Sequence, residues 1–241
     1  MKISIVIPAF NEELLIEATL TCVRKALTVF ERRGWQSELI VCDNNSTDRT
    51  SELARSAGAT VVFEPVNQIG RARNSGAAAA TGDWLIFVDA DSHPSPELFG
   101  EVAQEILSGK CLAGGVTVRL DGQFSLATVG IAVWNGISRS MRWFAGSFIF
   151  CETKSFREIG GFSSEFFAGE EIDLSKRLKR LAKATGKKIV ILHRHPLTTS
   201  ARKIHLYSTL EKIRFLKNSF RHGRNAFKSR DQCHPWYDGR R

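Results

Sequence analysis

Trp84-Leu85-Ile86-Phe87-Val88-Asp89-Ala90-Asp91-Ser92-His93 decides how the rest of this chain is read. Trp84 to Val88 is a short, nearly unbroken run of aromatic and branched apolar residues following Gly82, the pattern of a strand buried on both faces. The strand ends in two carboxylates one residue apart. In extended backbone, positions i and i+2 project to the same side, so Asp89 and Asp91 can converge on one cation. Mg²⁺ and Mn²⁺ take hard oxygen ligands and keep positions open for substrate phosphates. The plainer reading is a pair of carboxylates that caps the next turn, and the pair alone does not choose between the two.

Working back toward the N-terminus, Ile3 to Ile7 reads as a buried strand stopped by Pro8. Asn11 is placed to cap a helix with Glu12 and Glu13 in its first turn, and apolar residues at helical spacing continue to Val29 before Gly34. Glu38 to Cys42 is a second strand ending at Asp43, and Thr60 to Phe63 a third. Helices follow each, the last from about Ile69 through the Ala77–Ala80 run. Strand and helix alternate down to the Trp84 strand, which predicts a mostly parallel sheet flanked by helices, an α/β fold. In such sheets ligands bind beyond the carboxyl ends of the strands. Asn11 and Glu12, Asp43, and Asp89 with Asp91 all fall there.

The first turn, Pro8-Ala9-Phe10-Asn11-Glu12-Glu13, has no glycine, which excludes the dinucleotide fingerprint, and no phosphate-binding P-loop occurs anywhere. A first turn bearing acids repels phosphate unless a metal lies between. A nucleotide here would present base and ribose to the early turns and its diphosphate to a metal at Asp91.

Composition narrows the class further. The 241 residues suit one large domain or a domain with an appendage. The five cysteines are scattered, odd in number and without C-x-x-C spacing, which points to reduced thiols in a cytosolic compartment rather than disulfides or zinc. The first residues run straight into a strand, leaving no room for a signal peptide. The uncharged stretch from Gly122 to Ser138 is interrupted by Gln123, Gly130, Asn135 and Gly136 and falls short of a spanning helix. Of the net charge of +9, residues 202–241 carry +8, with 11 Lys and Arg against 3 acids. The basic balance therefore belongs to one segment.

Four ordered motifs now stand together: Ile3-Ser4-Ile5-Val6-Ile7-Pro8-Ala9-Phe10-Asn11-Glu12, Val41-Cys42-Asp43-Asn44-Asn45-Ser46-Thr47-Asp48, Gly70-Arg71-Ala72-Arg73-Asn74-Ser75-Gly76 and Asp89-Ala90-Asp91. They resemble family 2 glycosyltransferases, inverting enzymes of the GT-A fold that use nucleotide-diphosphate sugars and Mn²⁺ or Mg²⁺. The resemblance implies that Pro8, Ala9, Asn11 and Glu12 line the nucleotide pocket and that Asp43 accepts a hydrogen bond from an imide N–H of uracil or guanine. Arg71 and Arg73 lie near a helix start, where they meet the donor phosphates or are solvated helix charges. Asp89 and Ala90 fall on the ribose side, and Asp91 is the metal ligand. His93, two positions on, is a further metal-proximal side chain or an incidental turn residue. A phosphate-contacting arginine of some relatives corresponds to Arg119.

Beyond the Asp-x-Asp turn, Ser95-Pro96-Glu97 opens a helix that ends near Gly109. Cys111 to Leu120 alternates like a strand broken by Gly114-Gly115. Residues 124–144 are apolar and aromatic: a helix packed on the sheet, or an interfacial surface that receives a lipid-linked acceptor. Phe148 to Cys151 returns as a strand, and Gly160-Gly161-Phe162 matches the family's turn. The three acids Glu170, Glu171 and Asp173 are by composition ordinary complements of a helix N-terminus. By resemblance Glu171 is the catalytic base, with Glu170 and Asp173 as alternatives, because an inverting transfer needs one carboxylate to take the acceptor hydroxyl's proton. Ile189 to Leu192 is the last strand, after which His193 and His195 occupy a loop where relatives place a metal-binding histidine; His195 is the better placed.

The division expected is a GT-A domain over 1–203, with a donor-binding half at 1–93 and an acceptor and catalytic half at 94–203. Residues 204–241 form a basic amphipathic extension. Its cationic face over 204–228 suits a membrane surface, giving a cytoplasmic protein peripheral to the inner face, or else docks on its own domain. Sparse aromatic interleaving disfavours nucleic acid. The rival functions are a sugar nucleotidyltransferase, which needs a glycine- and lysine-rich first loop, and a non-catalytic membrane or polyanion adaptor driven by the tail.

Overall fold

The computed structural model describes residues 1–122, 125–202, 228, 229 and 233. Its centre is an eight-stranded sheet in the order β3-β2-β1-β4-β7-β6-β8-β5. The strands are β1 (Lys2–Ala9), β2 (Gln36–Asp43), β3 (Thr60–Phe63), β4 (Trp84–Val88), β5 (Ser92–His93), β6 (Cys111–Leu120), β7 (Phe148–Glu152) and β8 (Lys188–Thr199). The helices are α1 (Ile16–Glu31), α2 (Thr50–Ser56), α3 (Ile69–Ala79), α4 (Pro96–Leu107), α5 (Ser125–Met141), α6 (Thr153–Glu158) and α7 (Glu170–Ala184). β1, β2, β3 and β4 pair in parallel, as does β6 with β8, while β7 runs antiparallel between β4 and β6. The sheet is thus mostly parallel, as the alternation of strand and helix predicted.

Alternation of side chains across the sheet builds two cores. Ile3, Ile5 and Ile7 of β1 and Trp84, Ile86 and Val88 of β4 face α1 and α4, where Phe30 stacks on Phe99. Val6, Leu85 and Phe87 face the other way, toward Phe156, Phe162 and α7. Each fully buried side chain of this size contributes about 1.5–3 kcal/mol, so the unbroken apolar run of β4 stabilises both layers at once.

Several boundaries differ from expectation. Pro8 does not stop β1: the strand continues to Ala9, level with Asp43 of β2. Asn11 does not cap α1, which begins five residues later; it takes a left-handed conformation (φ 52°) and its side chain faces the neighbouring turn instead. Gly114 and Gly115 do not break β6 but sit paired inside it. A Cβ on Gly114 would lie 2.4 Å from the Phe150 ring, so the missing side chains let β7 and its aromatic residues close on β6. β8 does not end at Leu192. It runs to Thr199 through His193, Arg194, His195 and Pro196, with register shifts against β6 that absorb the proline. The basic extension expected at 204–228 lies outside the described residues apart from Lys228.

Candidate active site

The carboxyl ends of β1 and β2 are laced by polar contacts between two turns. Asn11 N–H donates to Ser46 Oγ and Asn11 Oδ1 accepts from Thr47 N–H, while Glu12 N–H and Glu13 N–H donate to Thr50 and Asp48. Burial alone would raise the Asp48 carboxyl, but hydrogen bonds from Thr50 and the Glu13 backbone bring it below the ordinary value. Asp43 is buried at this rim; its carboxylate accepts from Ser46 N–H at 3.0 Å and Ser51 Oγ at 2.6 Å. Asn44 uses its whole amide: it donates to the Glu64 and Val66 carbonyls and accepts from Gln68 N–H. That staple joins the end of β2 to the start of α3.

α3 carries Arg71 and Arg73 to different surroundings. Arg71 donates to Glu64 at 3.3 Å and is half-exposed. Arg73 is 1 % exposed and lies inside the protein. Its Nη1 donates to Glu170 at 2.6 Å and its Nη2 to Asp89 and to the Gly146 carbonyl, both at 2.9 Å, with the guanidinium over the Phe162 ring. Burial opposes its charge, yet Asp89, Glu170 and Glu171 hold it above the ordinary guanidinium value. One cation thus bridges the turn after β4 to the head of α7.

The turn itself is fixed from both sides. Thr19 of α1 donates to the Ala90 carbonyl at 2.7 Å, and Asp89 N–H donates to the Ser147 carbonyl at 3.2 Å. The path into α7 is fixed too: Asn74 and Phe162 exchange two hydrogen bonds, and Gln68 donates to the Ser164 and Phe166 carbonyls. Gly161 must be glycine, since its φ is +68° and a Cβ would meet Asn74 at 2.6 Å. Glu171 then falls beside Gly146, where a Cβ would lie 3.6 Å from its carboxyl carbon. It keeps a window on solvent although protein surrounds most of it. Burial, and then the Glu170 charge, push its carboxyl up to about 8 despite Arg73. Asp173, by contrast, is engaged with Arg177 one turn on at 2.7 Å.

A third group forms where β8 meets β5. The register sets Arg119, Thr198 and His93 in one row and Leu120, Thr199 and Ser92 in the next. Arg119 Nε donates to Thr198 at 2.8 Å. Asp91 is buried, and its carbonyl accepts from Ser200 N–H. Arg202 reaches back across the strand ends to Glu12 at 2.6 Å. His93 Nε2 is buried without a hydrogen-bond partner among the described residues. His195 does not join this group: it lies on β8 four residues before Thr199, and Glu101 of α4 holds its Nδ1 at 2.5 Å.

Among the described residues, no three carboxylates, imidazoles or thiols gather closely enough to hold an ion alone. The donor set still fits a divalent ion held partly by substrate: one buried carboxylate, Asp91, with an unpartnered imidazole nitrogen two residues on.

Sequence reasoning missed Gln68, Asn44, Asn74 and Gly146, and read residues 198–203, Arg202 among them, as donors to phosphate or a plain connector. Asn44 and Asn74 stood inside quoted motifs without a role. Nothing local to Gly146 marks it, because its partner Arg73 lies 73 residues away, and the partner Arg202 meets here, Glu12, lies 190 residues away.

An α/β sheet whose strand ends carry these carboxylates, with no glycine-rich phosphate loop, is an arrangement of the GT-A kind. A model of the family described as "Glycosyl transferase family 2" matches residues 4–165, and the chain belongs to that family. It is 30 % identical to a dolichol-phosphate mannosyltransferase of Pyrococcus furiosus over 48 % of this chain and 33 % of that protein. It is 33 % identical to glucosyl-3-phosphoglycerate synthase of Mycobacterium tuberculosis over 47 % of this chain and 43 % of that one. The chain therefore spans less than half the length of these curated relatives. Among solved structures, it resembles a mannosyltransferase of Pyrobaculum calidifontis in complex with GDP-mannose and Mn²⁺ (TM-score 0.67, 17 % identity, 98 % of this chain and 68 % of that one). It also resembles the M. tuberculosis synthase in complex with Mn²⁺, UDP and product (TM-score 0.61, 21 % identity, 91 % and 78 %). At these identities the likeness carries the fold, which is GT-A.

Proposed function

We propose that the protein is a metal-dependent, inverting glycosyltransferase that moves a sugar from a UDP- or GDP-linked donor to an acceptor hydroxyl. The observation that carries this reading is the buried bridge in which Arg73 joins Asp89 to Glu170 and leaves Glu171 beside Gly146. It ties the Asp89 turn after β4 to the head of α7. The donor class is supported by the nucleotide sugars and nucleotides named in the two solved structures above.

In this reading residues 1–93 hold the donor, 94–203 the acceptor side, and 204–241 an appendage. Pro8, Ala9, Asn11 and Glu12 line the nucleoside pocket. Asp43 accepts the imide N–H; two of its acceptor sites serve Ser46 and Ser51, and a carboxylate has about four. Asp89 and Ala90 stand at the ribose, and Arg119 and Arg71 are the cations offered to the diphosphate. Asp91 and His93 would hold Mn²⁺ or Mg²⁺, which supplies positive charge against the departing diphosphate. Glu171 takes the acceptor's proton, and Arg73 holds Glu170 and Asp89 in place beside it. Glu170 is a positioning group rather than the base, because Arg73 already binds it.

The test is donor turnover measured with UDP- and GDP-sugars, with Mn²⁺ and with chelator. We expect metal-dependent hydrolysis or transfer for one nucleotide class, lost in Asp91→Ala and weakened in Asp43→Ala. Turnover that is insensitive to chelator and to Asp91→Ala would overturn the reading. A chain that binds vesicles or polyanions but turns over no sugar nucleotide would favour the adaptor instead. The nucleotidyltransferase rival is not supported, since the first turn is acidic and laced to Asp48 and Thr50 rather than open to a triphosphate.

A further inference from the structure

α5 lies on the sheet with one face fixed and the other uncovered by the described residues. On the inner face, Asn135 exchanges two hydrogen bonds with the Val118 backbone of β6, and Ile131 and Trp134 pack against the core. Those contacts set the helix's rotation. The opposite face presents Val129, Val133, Ile137 and Met141, which are 61, 59, 41 and 45 % exposed and spaced four residues apart along one line. Among the described residues, nothing lies within 4 Å of a Cβ built on Gly130 or Gly136 of the same helix. Ser125 to Ser138 contains no charged residue. A helix on a water-facing surface ordinarily carries charged residues opposite its packed stripe, and this one does not.

Cations surround the C-terminal end of the bare stripe. Arg139 and Arg142 are exposed, and neither has an ion-pair partner among the described residues. Lys179 of α7 donates to the Met141 carbonyl, and Lys176 stands over the half-buried Trp143 ring at 5.2 Å. Arg180 and Lys183 continue the basic face of α7. Glu101 and Glu105, which line one cavity with Arg139 and Arg142, are engaged with His195 and Lys188.

We propose that the outer face of α5 docks on an anionic lipid surface. An exposed apolar line, an amphipathic tryptophan and a rim of unpaired cations are the three elements by which a helix lies in the headgroup region. The same cations oppose the obvious alternative, since a second copy of this chain would bring like charges together. α5 is about 26 Å long at helical rise, and no helix of the described residues is long and apolar enough to cross a membrane. The geometry is that of a helix lying on the surface. Docking would also have a consequence for the site. Residues 142–147 lead from α5 to the Gly146 and Ser147 carbonyls, which accept from Arg73 and from Asp89 N–H, so a docked α5 would be joined to the Arg73 bridge by a short segment.

The inference stands independently of the transfer reaction and is tested without sugar donors. Full-length protein is floated with vesicles of phosphatidylglycerol and phosphatidylethanolamine, and separately with phosphatidylcholine vesicles. The wild type is expected to float with the anionic vesicles and to be released by high salt. The double variant Val133→Glu/Ile137→Glu, which leaves the basic tail intact, should lose about tenfold in partitioning. Val133→Gln/Ile137→Gln removes apolar area without adding charge and should lose a smaller but measurable share; it serves as the readout if the glutamate pair unfolds. Arg139→Glu should weaken binding to the anionic vesicles alone. Unchanged partitioning in both double variants would overturn the proposal and move the contact elsewhere. So would a wild type that ignores anionic vesicles. A concentration-dependent dimer in sedimentation that both double variants abolish, without vesicle binding, would overturn it in favour of a second copy.

Discussion

Glu171 and Arg73 carry opposite demands on the same few ångströms. A base must be free of its proton, yet burial and Glu170 hold the Glu171 carboxyl at about 8. The transferase reading therefore predicts that kcat/KM rises with pH along a limb that bends near 8, and that Glu171→Gln loses about 10²–10⁴-fold in turnover. The same group leaves a signature in stability. Between about 4.5 and 8 the folded carboxyl keeps a proton that the unfolded chain has released, so rising pH favours unfolding across that window. Glu171→Gln removes the penalty. Its melting temperature should match wild type near the lower end of the window and exceed it at the upper end. Arg73→Gln should do the reverse. It strands Glu170 and Asp89 without their cation inside the protein, and breaking such a pair costs about 3–5 kcal/mol. Chemical denaturation of the two variants side by side separates a residue that strains the fold from one that holds it. Neither behaviour was legible in the sequence. Glu170 and Glu171 read equally well as helix-terminus acids, and only the fold shows that one meets Arg73 and the other Gly146.

Most strands and helices up to α4 were readable because their signals are local. β4 is an apolar run of strand length, and α4 starts at Ser95-Pro96, where the serine side chain accepts from Leu98 N–H. Where the reading failed, a distant partner had overruled a local rule. Pro8 lies inside β1, and the turn that should have followed it is pulled toward Ser46 and Thr47. Gly114 looked like a breaker because nothing in its neighbourhood announces Phe150, on a strand inserted from later in the chain. That contact is testable. Gly114→Val would overpack the β6–β7 joint by more than a rotamer change can absorb, and should destabilise by about 1–3 kcal/mol, measured by denaturant midpoint. The loop on which the His195 assignment rested was misread for the same kind of reason. β8 was expected to end at Leu192, which would have freed His195 for a loop; the strand runs on and hands that histidine to Glu101. His195→Ala should leave the metal concentration for half-maximal turnover unchanged, whereas His93→Ala should raise it.

Across the whole molecule the candidate site depends on three separate closures of the sheet's carboxyl edge. The turns after β1 and β2 are tied to one another, Arg73 ties β4 to α7, and Arg202 ties the end of β8 back to Glu12. A ligand that spans the nucleoside turns and the Asp91 corner would add a fourth tie between elements that now meet only at their ends. Because it binds the folded chain and not the unfolded one, it stabilises by mass action, about 2.7 kcal/mol at a hundred times its dissociation constant. In a domain of this size each kcal/mol moves the melting temperature by about 2–4 °C. A UDP- or GDP-sugar with Mn²⁺ should therefore raise it by roughly 5–10 °C when saturating. The shift should need both components, because neither the acidic first turn nor Asp91 attracts a diphosphate without an ion between them. Chelator should abolish the gain from the nucleotide sugar, and Asp91→Ala should abolish the gain from the ion. A nucleotide sugar that gave the full shift in chelator would mean that Arg71, Arg119 or Arg202 binds the diphosphate directly, and the metal would then have no part in holding the donor.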